Sequence, residues 1–234
     1  MIARDRVIGE WQIEQDGYAI LANVLAPHEV EQLLVSLQDA ESHHRSRAGI
    51  RHLLKHPAVS QIANDPRMLE LSQSVLGHNA FPFRATLFDK SSEANWLITW
   101  HQDTALPLRE KHEIPGWGPW SVKEGVTYAH APASVLEKVV ALRLHLDDST
   151  DQNGPLRVIP GTHSNGVLHD SEVESIVAKS EPVTCTVAKG GVVVMRPLVI
   201  HASSKSQSDV PRRVLHIEYA AGKEFFPGVE LAIA

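Results

Sequence analysis

The sequence predicts a mainly β fold, a jelly-roll barrel of the double-stranded β-helix type, cupin-like in outline, with packed helices in an α-helical N-terminal third. Three observations predict it. Helical spacing of apolar residues is confined to the first 80 or so positions, where Val30, Leu33, Leu34 and Leu37 fall at i, i+3, i+4 and i+7. From about residue 81 the period drops to two, as in Val140, Leu142, Leu144 and Leu146. Turn signals such as Asn153-Gly154-Pro155 and Lys189-Gly190-Gly191 then cut the chain into seven or eight short strands. Helices followed by that many strands suggest a rolled sheet with the helices on one outer face.

The elements follow in order. Residues 1–26 read as a short helix, a turn at Asp16-Gly17 and an apolar stretch from Tyr18. A helix starts at Pro27, a residue suited to a first helical position. The His- and Arg-rich residues 41–52 read as a solvated loop or, through Arg51, as a contact to an anionic ligand. A second helix spans 66–76, capped by Asp65, opened by Pro66 and closed by Gly77. Strands are expected at 84–89, with Thr86, Phe88 and Lys90 on one face, and at 96–103, with Thr99, His101 and Asp103 on one face. Residues 104–137 form a Pro- and Gly-rich insertion that reads as a lid packed by Trp117 and Trp120. Further strands are expected at 138–147, 156–159, 182–188, 192–196 and 212–220, with a short helix at about 171–178. The whole chain, 1–234, reads as one domain: a helical part to about 80, a jelly-roll core over about 81–222, and the insertion.

A hydrophobic fraction of 43% and a charged fraction of 21% are ordinary for a globular chain. The formal charge of -6 argues against a nucleic-acid or anionic-membrane surface, and no apolar run is long enough to span a bilayer. The first residues lack the apolar core of a signal peptide. Cys185 is the only cysteine, which excludes an internal disulfide and a cysteine zinc site, and its alternating surroundings make it a packed strand residue. A reducing, cytoplasmic compartment is the expectation. Oligomeric state is left open.

The chemistry-bearing pattern is His101-Gln102-Asp103 with a distant His201. On a strand, residues two apart share a face, and two imidazoles with one carboxylate form the facial triad of non-haem Fe(II) oxygenases. The tripeptide alone is weak: chance gives about 0.7 matches in a chain of this composition, and a rival pair stands at His145-Leu146-Asp147. The first pair is preferred because four expected strands separate Asp103 from His201, enough to bring the ligands face to face across a rolled sheet. His145 then reads as a polar residue lining the barrel.

Several runs together resemble the phytanoyl-CoA dioxygenase family over roughly residues 15–222. They are Leu87-Phe88-Asp89-Lys90, Asn95-Trp96, Trp100-His101-Gln102-Asp103, Leu146-Asp147-Asp148, Asn153-Gly154-Pro155-Leu156, Pro160-Gly161-Thr162-His163, His201-Ala202-Ser203 and Pro211-Arg212-Arg213. The resemblance implies Fe(II), 2-oxoglutarate and O2 as cofactor and cosubstrates, with succinate and CO2 released as a C–H bond of a small-molecule substrate is hydroxylated. It implies His101, Asp103 and His201 as iron ligands. Arg212 would hold the distal carboxylate of 2-oxoglutarate, and Ser203 would help hold it. Arg143 stands where many members have a tryptophan against the cosubstrate, and Thr86 where relatives have a methionine. Arg213 should face the opposite way, towards an exterior contact. Asp103, where a halogenase would have Ala or Gly, argues against halogenation. Trp117 and Trp120 would shield the centre or simply pack. The alternative is a cupin-like metal-binding protein or metalloenzyme that does not use 2-oxoglutarate.

Overall fold

The computed structural model describes residues 12–41, 49–91, 94–226 and 228–234. Three helices, α1 (Pro27–Glu41), α2 (Pro57–Ala63) and α3 (Pro66–Leu76), share the first third with strands β1 (Tyr18–Leu21) and β2 (Gly49–Ile50). The remaining strands are β3 (Phe81–Lys90), β4 (Ile98–His101), β5 (Ala105–Leu108), β6 (Trp120–Lys123), β7 (Val126–His130), β8 (Val139–His145), β9 (Leu156–Ile159), β10 (Val183–Cys185), β11 (Val192–Met195), β12 (Ile200–Ser203), β13 (Arg212–Ala220), β14 (Glu224–Phe226) and β15 (Val229–Glu230). Two short helices, α4 (Ala133–Leu136) and α5 (Asp170–Val177), follow, and residues 12–16 ahead of β1 are also helical. It is mainly β with some helices.

Two antiparallel sheets build the body. The larger runs β1-β11-β8-β13-β3-β2, the smaller β10-β9-β12-β4. Strand alternation assigns their faces. Val140, Leu142 and Leu144 of β8, with Leu215, Ile217 and Tyr219 of β13, pack against Val30, Leu37, Val59 and Met68 of the helices. The alternate residues point inward, where Ala141, Val193 and Met195 meet Leu156, Val158 and Cys185 of the smaller sheet. Leu142 is fully buried, so its truncation to Ala should cost about 2–5 kcal/mol. The helical start signals hold: Asp65 accepts from the Arg67 N–H at 2.9 Å, and Pro66 opens α3. The Arg67 guanidinium also pairs with Glu29 of α1 at 2.7 Å, tying the two helices together.

The sequence expectations need two corrections here. The first third is not purely helical, because β1 pairs with β11 and β2 with β3, so both belong to the large sheet. Short apolar runs beside a large sheet gain more from ladder hydrogen bonds than their local pattern reveals. The insertion at 104–137 is not a plain loop. Its β5, β7 and β6 form a three-stranded sheet, and β5 also meets the C-terminal segment through a Leu108–Leu231 bridge. Leu106, Leu108, Ala129 and Leu136 bury a separate core with Phe83, Val229 and Leu231. Of the His- and Arg-rich stretch, residues 42–48 lie outside the described residues. Arg51 meets Glu124 at 3.3 Å on the surface. Among the described residues no helix is long and apolar enough to cross a membrane.

Candidate functional site

Strands β4 and β12 pair directly, with His101 and His201 as Cα partners. The two histidines therefore stand side by side on neighbouring strands, with ring centroids 4.2 Å apart. This corrects the expectation that they face each other across the barrel. Asp103 lies just beyond β4, where its N–H donates to the Pro197 carbonyl at 2.9 Å. Its carboxylate sits between the rings: Oδ1 is 3.6 Å from His101 Nε2, and Oδ2 is 3.5 Å from His201 Nε2. One ligand atom from each residue lies within 4.8 Å of the others. Atoms about 2.1 Å from a shared ion at tetrahedral or octahedral angles would be about 3–3.4 Å apart, so the gap fits one metal ion with a small contraction.

The tautomers are set by the main chain. His101 Nδ1 lies 2.8 Å from the Thr99 carbonyl and His201 Nδ1 lies 3.0 Å from the Val199 carbonyl. A carbonyl can only accept, so each Nδ1 carries the proton and each Nε2 presents a lone pair to the gap. Burial pushes His201 down to about 4, which keeps it a neutral donor. Gln102 points away, as strand alternation requires. It donates to the Gly166 and Leu198 carbonyls at 2.9 and 2.8 Å and accepts from the Leu168 N–H at 2.8 Å, anchoring the segment between His101 and Asp103.

Beside these three residues a cleft is lined by Phe88, Trp96, Arg143, Ser203 and Arg212. Arg212 opens β13 opposite Lys90 and is buried. Its Nε donates to the Asn153 carbonyl at 3.2 Å and its Nη2 to Ser203 Oγ at 3.4 Å, while Nη1 has no partner among the described residues. Burial and the neighbouring Arg143 push it down to about 9. Arg143 lies over the Phe88 ring at 5.4 Å and donates to His216 Nδ1 at 3.1 Å, and its Nε is buried without a partner. An arginine only donates, so the His216 proton is on Nε2, 3.7 Å from Glu218, which in turn pairs with Arg84. Among the described residues no carboxylate forms an ion pair with Arg143, Arg212 or Lys90. Buried cations with spare donors are costly unless an anion joins them, and a small dicarboxylate fits that need.

The other predicted residues fall as follows. Ser203 borders the cleft, but its hydroxyl donates to the Gly154 carbonyl at 2.8 Å. Thr86 shares the inner face of β3 and pairs with His216, yet it is not among the residues lining the cleft. Trp117 and Trp120 pack against the core of the insertion. His145 is fully buried in the interior with neither ring nitrogen bonded. Asp147 accepts both Nε and Nη2 of Arg213 at 2.8 Å, on the outer side of β13, so the rival pair does not converge. The sequence puts Lys90 on the right face and Trp96 in a run shared with the family but gives neither a role, and His216 is not singled out. The signal for Lys90 and His216 was a polar residue at an inward strand position.

Comparison with known proteins adds the following. The profile of the family described as Phytanoyl-CoA dioxygenase (PhyH) matches residues 13–214. L-proline trans-4-hydroxylase of Streptomyces griseoviridis is 26% identical over 180 residues, which are 66% of this chain and 59% of that enzyme. Ectoine dioxygenase of Bordetella bronchiseptica is 24% identical over 166 residues, covering 64% of this chain and 47% of that enzyme. The chain thus matches about half the length of these curated relatives. The crystal structure of EctD from S. alaskensis with 2-oxoglutarate and 5-hydroxyectoine superposes with a TM-score of 0.67 at 16% identity, covering 90% of this chain and 74% of that one. That likeness shows a shared fold.

Proposed function

The chain belongs to the phytanoyl-CoA dioxygenase family, and on that premise we propose that it is an Fe(II)- and 2-oxoglutarate-dependent dioxygenase hydroxylating an unactivated C–H bond of a small molecule. The two facing sheets are read as a jelly-roll core, and the chain as one catalytic domain with its insertion. The single observation that carries the reading is the meeting, in one cleft, of three convergent metal-ligand atoms and the unpartnered Nη1 of buried Arg212.

His101, Asp103 and His201 would hold the iron, leaving the remaining coordination positions open on the cleft side. Bound there, iron and 2-oxoglutarate supply the activation of O2 and the oxidation of substrate, with release of succinate and CO2. Arg212 can give two parallel N–H bonds to the distal carboxylate. Arg143 can donate its free Nε to a carboxylate of cosubstrate or substrate, and Ser203 stands beside Arg212. Phe88 and Trp96 wall the cleft with apolar surface that keeps water out. A lone, buried Cys185 suits a reducing compartment such as the cytoplasm.

The test is 2-oxoglutarate consumption and succinate release with Fe(II), screened over a panel of amino acids, other small metabolites and acyl thioesters. Substrate-stimulated succinate formation is expected, and Arg212→Ala should raise the KM for 2-oxoglutarate by about tenfold or more. A protein that binds iron but never consumes the keto acid would instead be a cupin-like metal protein, and the reading would fail.

A further inference from the structure

Lys90 is fully buried at the end of β3, in the register position opposite Arg212. Its ammonium donates to Ser203 Oγ at 2.8 Å and to the Ser204 carbonyl, and it lies 5.4 Å from the centre of the Trp96 ring. Ser203 Oγ in turn accepts from Arg212 Nη2 and donates to the Gly154 carbonyl. A hydroxyl has one donor and two acceptor sites. All three are in use, so Ser203 has no proton left to give a ligand. Gly154 is locked into this arrangement: its φ is +69°, and a Cβ there would lie 2.4 Å from the Ser204 carbonyl oxygen and 3.1 Å from Lys90 Nζ.

We propose that Lys90 is a positioning residue of the anion cleft: it holds Ser203 as the post that sets Arg212, and its own charge, added to those of Arg143 and Arg212, makes the cleft select a doubly charged ligand. This rests on the proposed function and deepens it. Arg143 and Arg212 line the cleft and Lys90 stands behind them, in contact with Ser203; among the described residues no carboxylate forms an ion pair with any of the three, a costly arrangement for the folded protein alone. A dicarboxylate offsets it on entry. Burial, then Arg212 and Arg143, push Lys90 down to about 7, so an incoming dianion should draw a proton onto it.

The test uses the full chain loaded with Mn(II) in place of iron and N-oxalylglycine, a redox-inert dianionic analogue, titrated by calorimetry in buffers of different ionisation enthalpy. The unaltered protein should take up a substantial fraction of a proton per ligand at about pH 8, and less at about pH 6, where Lys90 is already charged. Lys90→Met should bind the analogue about tenfold or more weakly, keep its Mn(II) affinity, and lose the uptake. Ser203→Ala should weaken binding while keeping it. If Lys90→Met proves unable to fold, Lys90→Gln takes its place, and analogue binding as tight as that of the unaltered protein overturns the proposal. Equal binding by Lys90→Met also overturns it, while leaving the parent reading intact. No binding by the unaltered protein sinks both.

Discussion

His101-Gln102-Asp103 and His145-Leu146-Asp147 have the same spacing of imidazole and carboxylate and have opposite fates. In the first, the strand ends after His101 and the chain turns under Pro197, so Asp103 stays on the side of its histidine. A second strand then delivers His201 to the same corner. In the second, His145 points into the interior while Asp147 is taken by Arg213 on the outside. The middle residue marks the difference too. Gln102 is used up bonding three main-chain groups, whereas Leu146 is buried in the helix-facing core. Spacing puts two groups within reach of a common point only when the backbone path after them agrees.

The largest break should come at the first pair. His101→Ala or His201→Ala should abolish Fe(II) binding and with it keto-acid turnover, a loss well beyond the roughly 100-fold that removing an outer partner of a ligand can cost. Metal titration of the purified variants checks this, and retained stoichiometric iron in either would remove that residue from the centre. At the second pair, Asp147→Ala should leave iron binding unchanged but cost about 1–2 kcal/mol in urea unfolding, because it strips Arg213 of a two-pronged partner. Loss of metal there with no loss of stability would reverse the assignment.

The smallest effect is expected at His145. Replacement by Leu removes two unpartnered ring nitrogens and should keep iron and alter neutral-pH stability little. Its signature lies in acid. Burial, then Arg143 and Arg212, push His145 from an ordinary 6.5 down to about 3. Between those values the unfolded chain binds a proton that the folded chain refuses, so stability falls as pH drops from about 6.5 towards 3. His216, also lowered by burial, acts in the same direction. Thermal melts across that range should show a shallower decline for His145→Leu, and an unchanged slope would mean that His145 is not held neutral.

Regular strands were readable because their signal is local. The expected strands at 156–159 and 212–220 coincide with Leu156–Ile159 and Arg212–Ala220, since alternation of Leu215, Ile217 and Tyr219 against Val214, His216 and Glu218 follows directly from the pleat. The insertion does not read as strands because β5, β6 and β7 are short and carry Pro or polar residues, and β5 is also held by Leu231, far along the chain. The exposed Val122 and half-buried Trp120 give no alternation to read.

By itself the sequence determined which residue types were available and which of them share a strand face: His101 with Asp103, Arg212 apart from Arg213, Lys90 with Phe88. Only the tertiary structure decided that β12 lies against β4 in a register that sets His201 opposite His101, and that Arg143 and Arg212 line one cleft with Lys90 behind them and, among the described residues, no carboxylate ion-paired to any of the three. The reason is range. Side-chain direction along a strand is set by the chirality and pleat of a few neighbouring residues, but the pairing of strands a hundred residues apart depends on burying both sheets at once, and no local segment contains that information.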